Sequence, residues 1–583
     1  MKKIEKYLDF TFENKIVHIL IILFVTIALS VHMKEFQIYD THDGPFHLLR
    51  ILVTSEQIDN GIIPAIISPY SWNGLGVGMN LFYPPISTYV PILIMKTLGL
   101  TAGVALKCYC VLSVFLSGLF MYICINEFTK NRKIAIISAI IYMILPYKLN
   151  NIYVRVAAGE IGATVFIPLV FMGLHNLIEG DGKRHYIIAI GAVGVLLSHT
   201  ISTMYIAIFG FIYVLLHIKK ILNWSIIRKL LINCAFIVLI GGIFVFPYLE
   251  TSSSAKYKIN TDELMGTYNE FLNDKTLELR DLLHNVQVEN HMVLYLGMPA
   301  MIGLVLTFVN LPLLVKEKKL DKNYVVFLLF TILCIWMSIK SFPWLKIPKI
   351  FAKLQFPWRM MGFGNFFMSF IVGINYYNIF EKLPRLVFIK DVAIVTLICV
   401  AVINAMELSK ELETWGVFKD EEVERAWKEE GWFPFSNYDF APVKVDRQVM
   451  EGSGLAMRLY CTNNTIRVSD EVKTKRLRYS ATVENLKKGD IVSVPYLYYP
   501  YYELEISENN NTITKIKPTE ADNGMIQFEI DKDVAEKVDL EIYFKPSLIV
   551  ILSYYGSAIA LTGLIAYIVW FKYKNKKCQN ETE

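Results

Sequence analysis

Apolar residues fall in long runs along this chain, separated by shorter polar intervals. The runs lie at 16–33, 104–127, 133–149, 161–178, 186–198, 200–217, 230–248, 292–315, 323–339, 360–379, 391–406 and 547–571. Recurring runs of this kind are what helices crossing a bilayer require. The pattern predicts a polytopic α-helical membrane protein with about twelve transmembrane helices. The stretch 186–217 is long for one crossing and short for two, but the charge pattern requires two. Basic clusters recur between the runs, at Lys130/Arg132/Lys133, Lys183/Arg184, Lys219/Lys220, Arg228/Lys229, Lys316/Lys318/Lys319, Lys382/Arg385/Lys390 and Lys572/Lys574/Lys576/Lys577. Basic loops stay in the cytoplasm, which places both termini inside. The first run has a basic flank and no small-residue cleavage site, so it reads as a retained signal anchor. The segment 84–98 has the length of an interfacial or re-entrant helix. Counting it as a crossing would put Lys130, Arg132 and Lys133 outside, so it belongs to a first outer loop, 34–103.

The largest outer region is 407–546. Its start, 411–432, reads as an amphipathic helix carrying Trp415, Trp427 and Trp432. From Leu455 the period changes to short alternating runs at 476–484, 490–499, 501–507, 525–530 and 539–544, separated by turn residues. These predict a small antiparallel extracytoplasmic β domain, sandwich-like, before the last helix. Three units follow: 1–406 in the membrane, 407–546 outside, and 547–583 as a final helix with a basic tail. Composition agrees, with 54% hydrophobic and only 19% charged residues, which excludes an ordinary soluble enzyme. The net charge of +5 is concentrated in loops and sets orientation; it does not indicate nucleic acid. Six of the eight Cys lie in hydrophobic stretches and none forms a CxxC pair, so neither a disulfide framework nor a zinc site is predicted.

Against this apolar background the run DTHDGPFHLLR, Asp40 to Arg50, is exceptional. It sets two carboxylates, two imidazoles and a guanidinium at the membrane rim, where ionisable groups must pair, face water or do chemistry. Asp43, His47 and Arg50 are spaced i, i+4, i+7, and a helix starting at Gly44 or Pro45 puts them on one face. The plainer alternative makes Asp43 the N-cap of that helix. Three further clusters lie at the same rim. Arg155 and Glu160 in YVRVAAGE could act on a substrate or pair to fix a loop. Arg359 in FPWR could bind substrate or anchor at the interface. His199 in LLSHTIST stands at a turn between two runs, as a site residue or a hydrogen-bonded packing residue. Tyr83 in NLFYPPIS could stack on a sugar or lipid, or simply pack. Asp40, His42, Asp43 and His47 match no standard metal spacing, and no phosphate-binding glycine loop precedes a helix.

Taken together, DxxDGPFHLLR, YPP, YVRxAxxE, LSH and FPWR resemble the bacterial membrane proteins labelled 6-pyruvoyl-tetrahydropterin synthase-related. No histidine triad of the soluble pterin enzyme is present. That membrane family is similar to a branch of the GT-C glycosyltransferase superfamily. The resemblance covers roughly the first 380 residues by motif and the rest by layout, and LYYPYYELEIS (497–507) is similar to its tyrosine-rich strand. It implies an enzyme moving a sugar from a polyprenyl-phosphate donor to a cell-wall or lipid acceptor on the outer face. By position it makes Asp43 the catalytic base, with Asp40 as competitor and Glu160 as a second acid. Arg suits a developing phosphate charge, so Arg155 and Arg359, with Arg50, are the expected donors; His47, Tyr83 and His199 complete the expected substrate contacts. In-line attack would invert the anomeric centre, and a divalent metal is optional. Two other readings stay open: a transporter or flippase for a lipid-linked glycan, and a non-catalytic envelope scaffold. The first expects charges at mid-membrane on broken helices; the second expects Asp43 to be dispensable.

Overall fold

The computed structural model describes residues 14–34, 37–69, 74–288, 291–382, 387–412, 419–430, 438–446, 458–474 and 476–580. Every predicted apolar run contains a helix, although 292–297 precedes its helix and 133–149 breaks at Leu145. The helices are α1 (Lys15–Leu29), α2 (Gly44–Asp59), α3 (Ile86–Leu98), α4 (Ala102–Thr129), α5 (Arg132–Ile144), α6 (Pro146–Tyr153), α7 (Ala158–Ile178), α8 (Ile187–Leu196), α9 (Thr200–Leu216) and α10 (Trp224–Ser254). They continue with α11 (Met298–Lys316), α12 (Lys322–Ser338), α13 (Met360–Glu381), α14 (Val387–Glu411), α15 (Asp420–Glu430) and α16 (Leu548–Asn580).

The expected twelve crossings are not all met by length and composition. Among the described residues six helices suffice: α4, α7, α10, α11, and the Lys390–Glu411 and Leu548–Tyr573 parts of α14 and α16. The bent pair α5 and α6 would make seven. Helices α1, α8, α9 and α12 have only 10–17 residues, and α13 carries Asn365, Ser369, Asn375 and Asn378, which dilute its apolar character. Segment 84–98 forms α3, also in the short apolar class.

Helix α7 is the centre of the bundle, with 89% of its apolar window buried, against 28% for α16. Helices α4 and α8 pack along it, and α5 and α13 close the same core. The break between α5 and α6 matters most for function. Leu145 is extended (φ −59°, ψ 135°) and Pro146 opens the next helix, bending the chain by 44°. A residue before proline avoids the helical region, and proline suits a first turn. The bend turns Tyr147 and Asn151 toward the end of α7.

The C-terminal region forms two antiparallel sheets. One has the order β1-β4-β8-β7, from Tyr460–Cys461, Ile491–Leu497, Met525–Glu529 and Thr519–Glu520. The other has the order β2-β3-β9-β5-β6, from Arg467–Thr474, Arg478–Glu484, Lys537–Phe544, Tyr502–Glu508 and Asn511–Ile516. All five predicted runs are strands. Four more escaped the pattern: β1 and β7 are two residues long, and β2 and β6 are exposed over most of their length. Of the predicted amphipathic stretch, α15 is observed with Trp427 buried; Trp415 and Trp432 lie outside the described residues.

The tyrosine run after β4 fastens the sheets to the helical part. Leu497 N–H donates to Leu75 O at 2.8 Å, and Tyr257 Oη donates to Tyr498 O at 3.0 Å. Tyr501 Oη meets Thr251 Oγ1 at 2.8 Å and donates to Pro247 O at 3.2 Å. Tyr499 is fully buried; its hydroxyl accepts from Gly78 N–H at 2.9 Å and donates to Phe440 O at 2.8 Å. Tyr499→Phe therefore strands a backbone donor and acceptor, at about 1–3 kcal/mol. Thermal unfolding in detergent should show a lowered midpoint, with earlier proteolysis near Gly78. An unchanged midpoint would mean that the apolar contacts alone hold this junction.

Candidate active site at the start of the second helix

The run at Asp40 folds as a short 3-10 turn, Ile38–Asp40, leading into α2. Thr41 organises this entry. Its hydroxyl donates to Ile38 O at 2.7 Å and accepts from Gly44 N–H at 3.0 Å. A Cβ on Gly44 would lie 2.1 Å from Thr41 Oγ1 and 2.2 Å from Ile38 O, so only glycine fits. Asp43 occupies the N-cap position, yet its side chain makes no capping hydrogen bond. Thr41 does the local work, and the Asp43 carboxylate is left for another partner. Asp420, at the start of α15, accepts from Tyr39 N–H at 3.0 Å and Ile38 N–H at 3.2 Å. The entry is thus held by a residue 381 and 382 positions away from the two amides it binds.

Backbone pairing then zips this entry to the segment after α6. His42 N–H donates to Val154 O at 3.1 Å and Asp43 N–H to Arg155 O at 2.7 Å. The Asp43 carboxylate, 42% exposed, accepts from Arg155 Nη2 at 3.3 Å. Arg155 is buried, donates from Nη1 to Asn151 at 2.8 Å, and lies 3.0 Å from Glu160 Oε1. Glu160, one turn into α7, is also 3.1 Å from Arg359 Nε. Its other oxygen accepts from Tyr147 Oη at 2.7 Å and Asn151 Nδ2 at 3.1 Å. Trp358 covers Arg155, with its ring centroid 5.0 Å from the guanidinium carbon. Three stretches far apart in sequence thereby meet: 41–43, 147–160 and 355–359.

The arrangement is strained in two places. Val156, directly after Arg155, has φ +48°, and Gln355, which accepts from Arg359 Nη1 at 2.5 Å, has φ +65°. Left-handed backbone at such residues costs about 1–3 kcal/mol and gathers at functional sites. Arg359 Nε and Glu160 Oε1 are in ionic contact but lack an aligned hydrogen bond among the described residues. Buried polar atoms left that way are the place where a ligand improves the bonding.

Other expected site residues have different duties. Arg50 is fully buried and faces the chain itself. It donates to Asn80 at 3.1 and 3.2 Å, Ser87 at 3.3 Å, and the carbonyls of Tyr83 and Pro84 at 3.2 Å. It clamps the loop before α3. Tyr83 is not an open platform either. Arg50 sits 4.5 Å over its ring, the His47 ring meets it edge-on, and its hydroxyl faces Gly159, where a Cβ would lie 2.4 Å away. His199 caps α9, its Nδ1 accepting from Ser202 N–H at 3.3 Å. His47 is buried with Nδ1 lacking a hydrogen-bond partner. Asp40 lies in the turn before Thr41, half-buried. The shared face of Asp43, His47 and Arg50 therefore splits: Asp43 turns to Arg155, the other two to Tyr83 and its loop. Tyr147, Asn151, Thr41 and Asp420 were not singled out from the sequence; the pair Asn151–Arg155, at i and i+4, was the legible clue. Among the described residues no three His, Cys, Asp or Glu gather as metal ligands.

Both imidazoles are kept neutral. Burial lowers His47 well below the usual histidine value, with Arg50, His199 and Arg155 adding to it. Burial and the two arginines outweigh Glu160 at His199, which falls to about 4. An unfolded histidine titrates near 6.5, so protonation below that favours the unfolded chain. Stability is therefore lost as pH falls from about 6.5 to about 4. Unfolding midpoints across that window are expected to drop, and His199→Asn, which keeps a capping side chain, is expected to reduce the drop. Equal pH dependence in the two proteins would place the titration elsewhere.

Comparison with known proteins adds the following. The family profile described as "6-pyruvoyl-tetrahydropterin synthase related domain; membrane protein" matches residues 81–410. A protein of Lactococcus lactis subsp. cremoris (strain MG1363), named as uncharacterized, is 23% identical over 353 residues, 58% of this chain and 56% of that one. The chain thus spans little more than half the length of that relative. Among solved structures, the arabinofuranosyltransferase AftD from Mycobacteria overlays with a TM-score of 0.42 at 15% identity, covering 69% of this chain and 27% of that one. The Archaeoglobus fulgidus oligosaccharyltransferase in its apo form gives 0.38 at 10% identity, covering 70% and 57%.

Proposed function

This chain belongs to the family of 6-pyruvoyl-tetrahydropterin synthase-related membrane proteins, and we propose that it is a membrane glycosyltransferase using a polyprenyl-phosphate sugar. The observation that carries this reading is the Asp43 carboxylate. It stands at a helix start without capping it, partly open to water, beside a buried arginine. A carboxylate so placed can take the proton of an acceptor hydroxyl. The oxygen then attacks the anomeric carbon in line, the sugar–phosphate bond breaks, and its electron pair leaves on the phosphate. Inversion follows from that geometry. Arg155 and Arg359 receive the phosphate charge. Glu160, expected as a second acid, is committed to Arg155, Arg359, Tyr147 and Asn151; its role is to hold both guanidiniums. The acceptor is a cell-envelope glycan or lipid on the outer face.

We read the short apolar helices as further crossings, with both termini cytoplasmic. Their exposed faces support this: Ile16, Leu20 and Phe24 on α1, Phe211 on α9, and Leu329 on α12 are suited to lipid.

One observation favours the transport reading. It is a buried lysine in the second half of the bent helix pair α5 and α6. Lys148 of α6 is buried, bonds to Ser117 Oγ and lies 4.3 Å from the Tyr142 ring centroid, with no carboxylate partner among the described residues. Buried ionisable groups on broken helices often mark a transport pathway. Proteoliposomes containing the purified protein and radiolabelled polyprenyl-phosphate hexose separate the two readings. Sugar appearing in an acceptor, with the carrier released, supports transfer. Intact donor moved between leaflets without transfer overturns it in favour of transport.

A further inference from the structure

A cavity of about 440 Å³, whose lining includes neither Arg155 nor Arg359, lies beside α5, α11 and α14. That volume is in the range of small-molecule sites. Its walls come from α5, α11 and α14, through Ile144, Met301, Ala401 and Ala405. These belong to apolar helices, so the lower part is hydrocarbon in character. Its mouth is different. His284, Asn285, Glu407 and Glu411 line it, with Asn285 Nδ2 donating to Glu411 Oε2 at 3.2 Å. Among the described residues no Lys or Arg pairs with either glutamate. Asn404 also lines the cavity, within the apolar helix, and its amide makes no hydrogen bond among the described residues. It lies seven residues from Glu411, about 10 Å along the helix.

We propose that this cavity binds a lipid with an uncharged, hydroxyl-rich headgroup, a neutral glycolipid. The apolar walls take the chains. The two carboxylates repel a phosphate headgroup, which excludes ordinary anionic lipids. An ammonium headgroup only donates, and offers no acceptor to the Asn404 amide. Sugar hydroxyls both donate and accept, which matches a mouth holding carboxylates, amides and an imidazole. The cavity is tied to the rim site through α6. Pro146 lines it, and the next residue, Tyr147, donates to Glu160. Asn150 pins the same helix to the segment before α11, donating to Val293 O at 2.5 Å and accepting from Val293 N–H at 2.9 Å. This inference stands on the cavity and not on sugar transfer.

The test is binding. The full chain is placed in phosphatidylcholine nanodiscs with monoglucosyl diacylglycerol bearing a diazirine in one acyl chain. Crosslinks should map to 295–301 and 401–411, and unlabelled glucolipid should compete at least tenfold better than phosphatidylglycerol or an ammonium-headed lipid. Ala405→Trp, which fills the cavity, should abolish those crosslinks. The paired variant Glu407→Lys, Glu411→Lys leaves the walls intact and should reverse the preference toward phosphatidylglycerol. Crosslinks spread evenly over the lipid-facing helices, or equal competition by the three lipids, would overturn the proposal.

Discussion

Asp43→Asn is expected to lower sugar transfer by about 100- to 10,000-fold, the usual contribution of a positioned general base. The substitution keeps size and shape and removes only the ability to accept a proton. Its effect on stability should be small. The ion pair with Arg155 is long, at 3.3 Å, and the carboxylate is 42% exposed, so it contributes about 0–1 kcal/mol. Helix α2 does not depend on it, because Thr41 supplies the cap. Initial rates in proteoliposomes, measured beside thermal unfolding, separate the two effects. A large rate loss at an unchanged midpoint identifies a chemical role. Full activity in the variant would exclude Asp43 as the base and direct attention to Asp40.

The second large effect is structural in origin. Glu160→Gln leaves Arg155 and Arg359 buried without their common counter-charge. Removing one member of a buried ionic network costs about 3–5 kcal/mol, because the remaining charges stay desolvated. Unfolding should therefore begin well below the wild-type temperature, and transfer should fall with it. Pairing Glu160→Gln with Arg359→Met removes one stranded charge and should restore part of the stability while leaving transfer lost. If the double variant is no more stable than the single one, the two groups are not coupled, and the 3.1 Å contact between them carries little energy.

These two residues show how differently the site was legible. Asp43 was visible because a charged run beside an apolar one is costly unless it does something. Its rival explanation, the N-cap, was equally consistent with the sequence, since Asp is a favoured capping residue and only its side-chain torsion decides whether it caps. The presence of Thr41 two residues earlier decided the matter in space. The bonding of Arg50 was not legible for a related reason. Helical spacing put it on the Asp43 face, but a long side chain reaches several ångströms along the helix, and Asn80, Ser87 and two carbonyls captured it.

What the chain determined by itself is the class of protein and the places where charge meets membrane. Long apolar runs, basic loops and an alternating C-terminal region are properties of neighbouring residues, so helices, sheet and rim clusters could all be read locally. The crossings were harder to count, because length and hydropathy shade continuously between a full span and a short packed helix. Tertiary structure alone decided which charges share a site. Asp43, Arg155, Glu160 and Arg359 meet only because Pro146 bends one helix, α7 begins beside it, and Asp420 braces the entry from a distant segment. Coulombic pairing acts over a few ångströms regardless of sequence separation, and only the packed fold brings those groups within its reach.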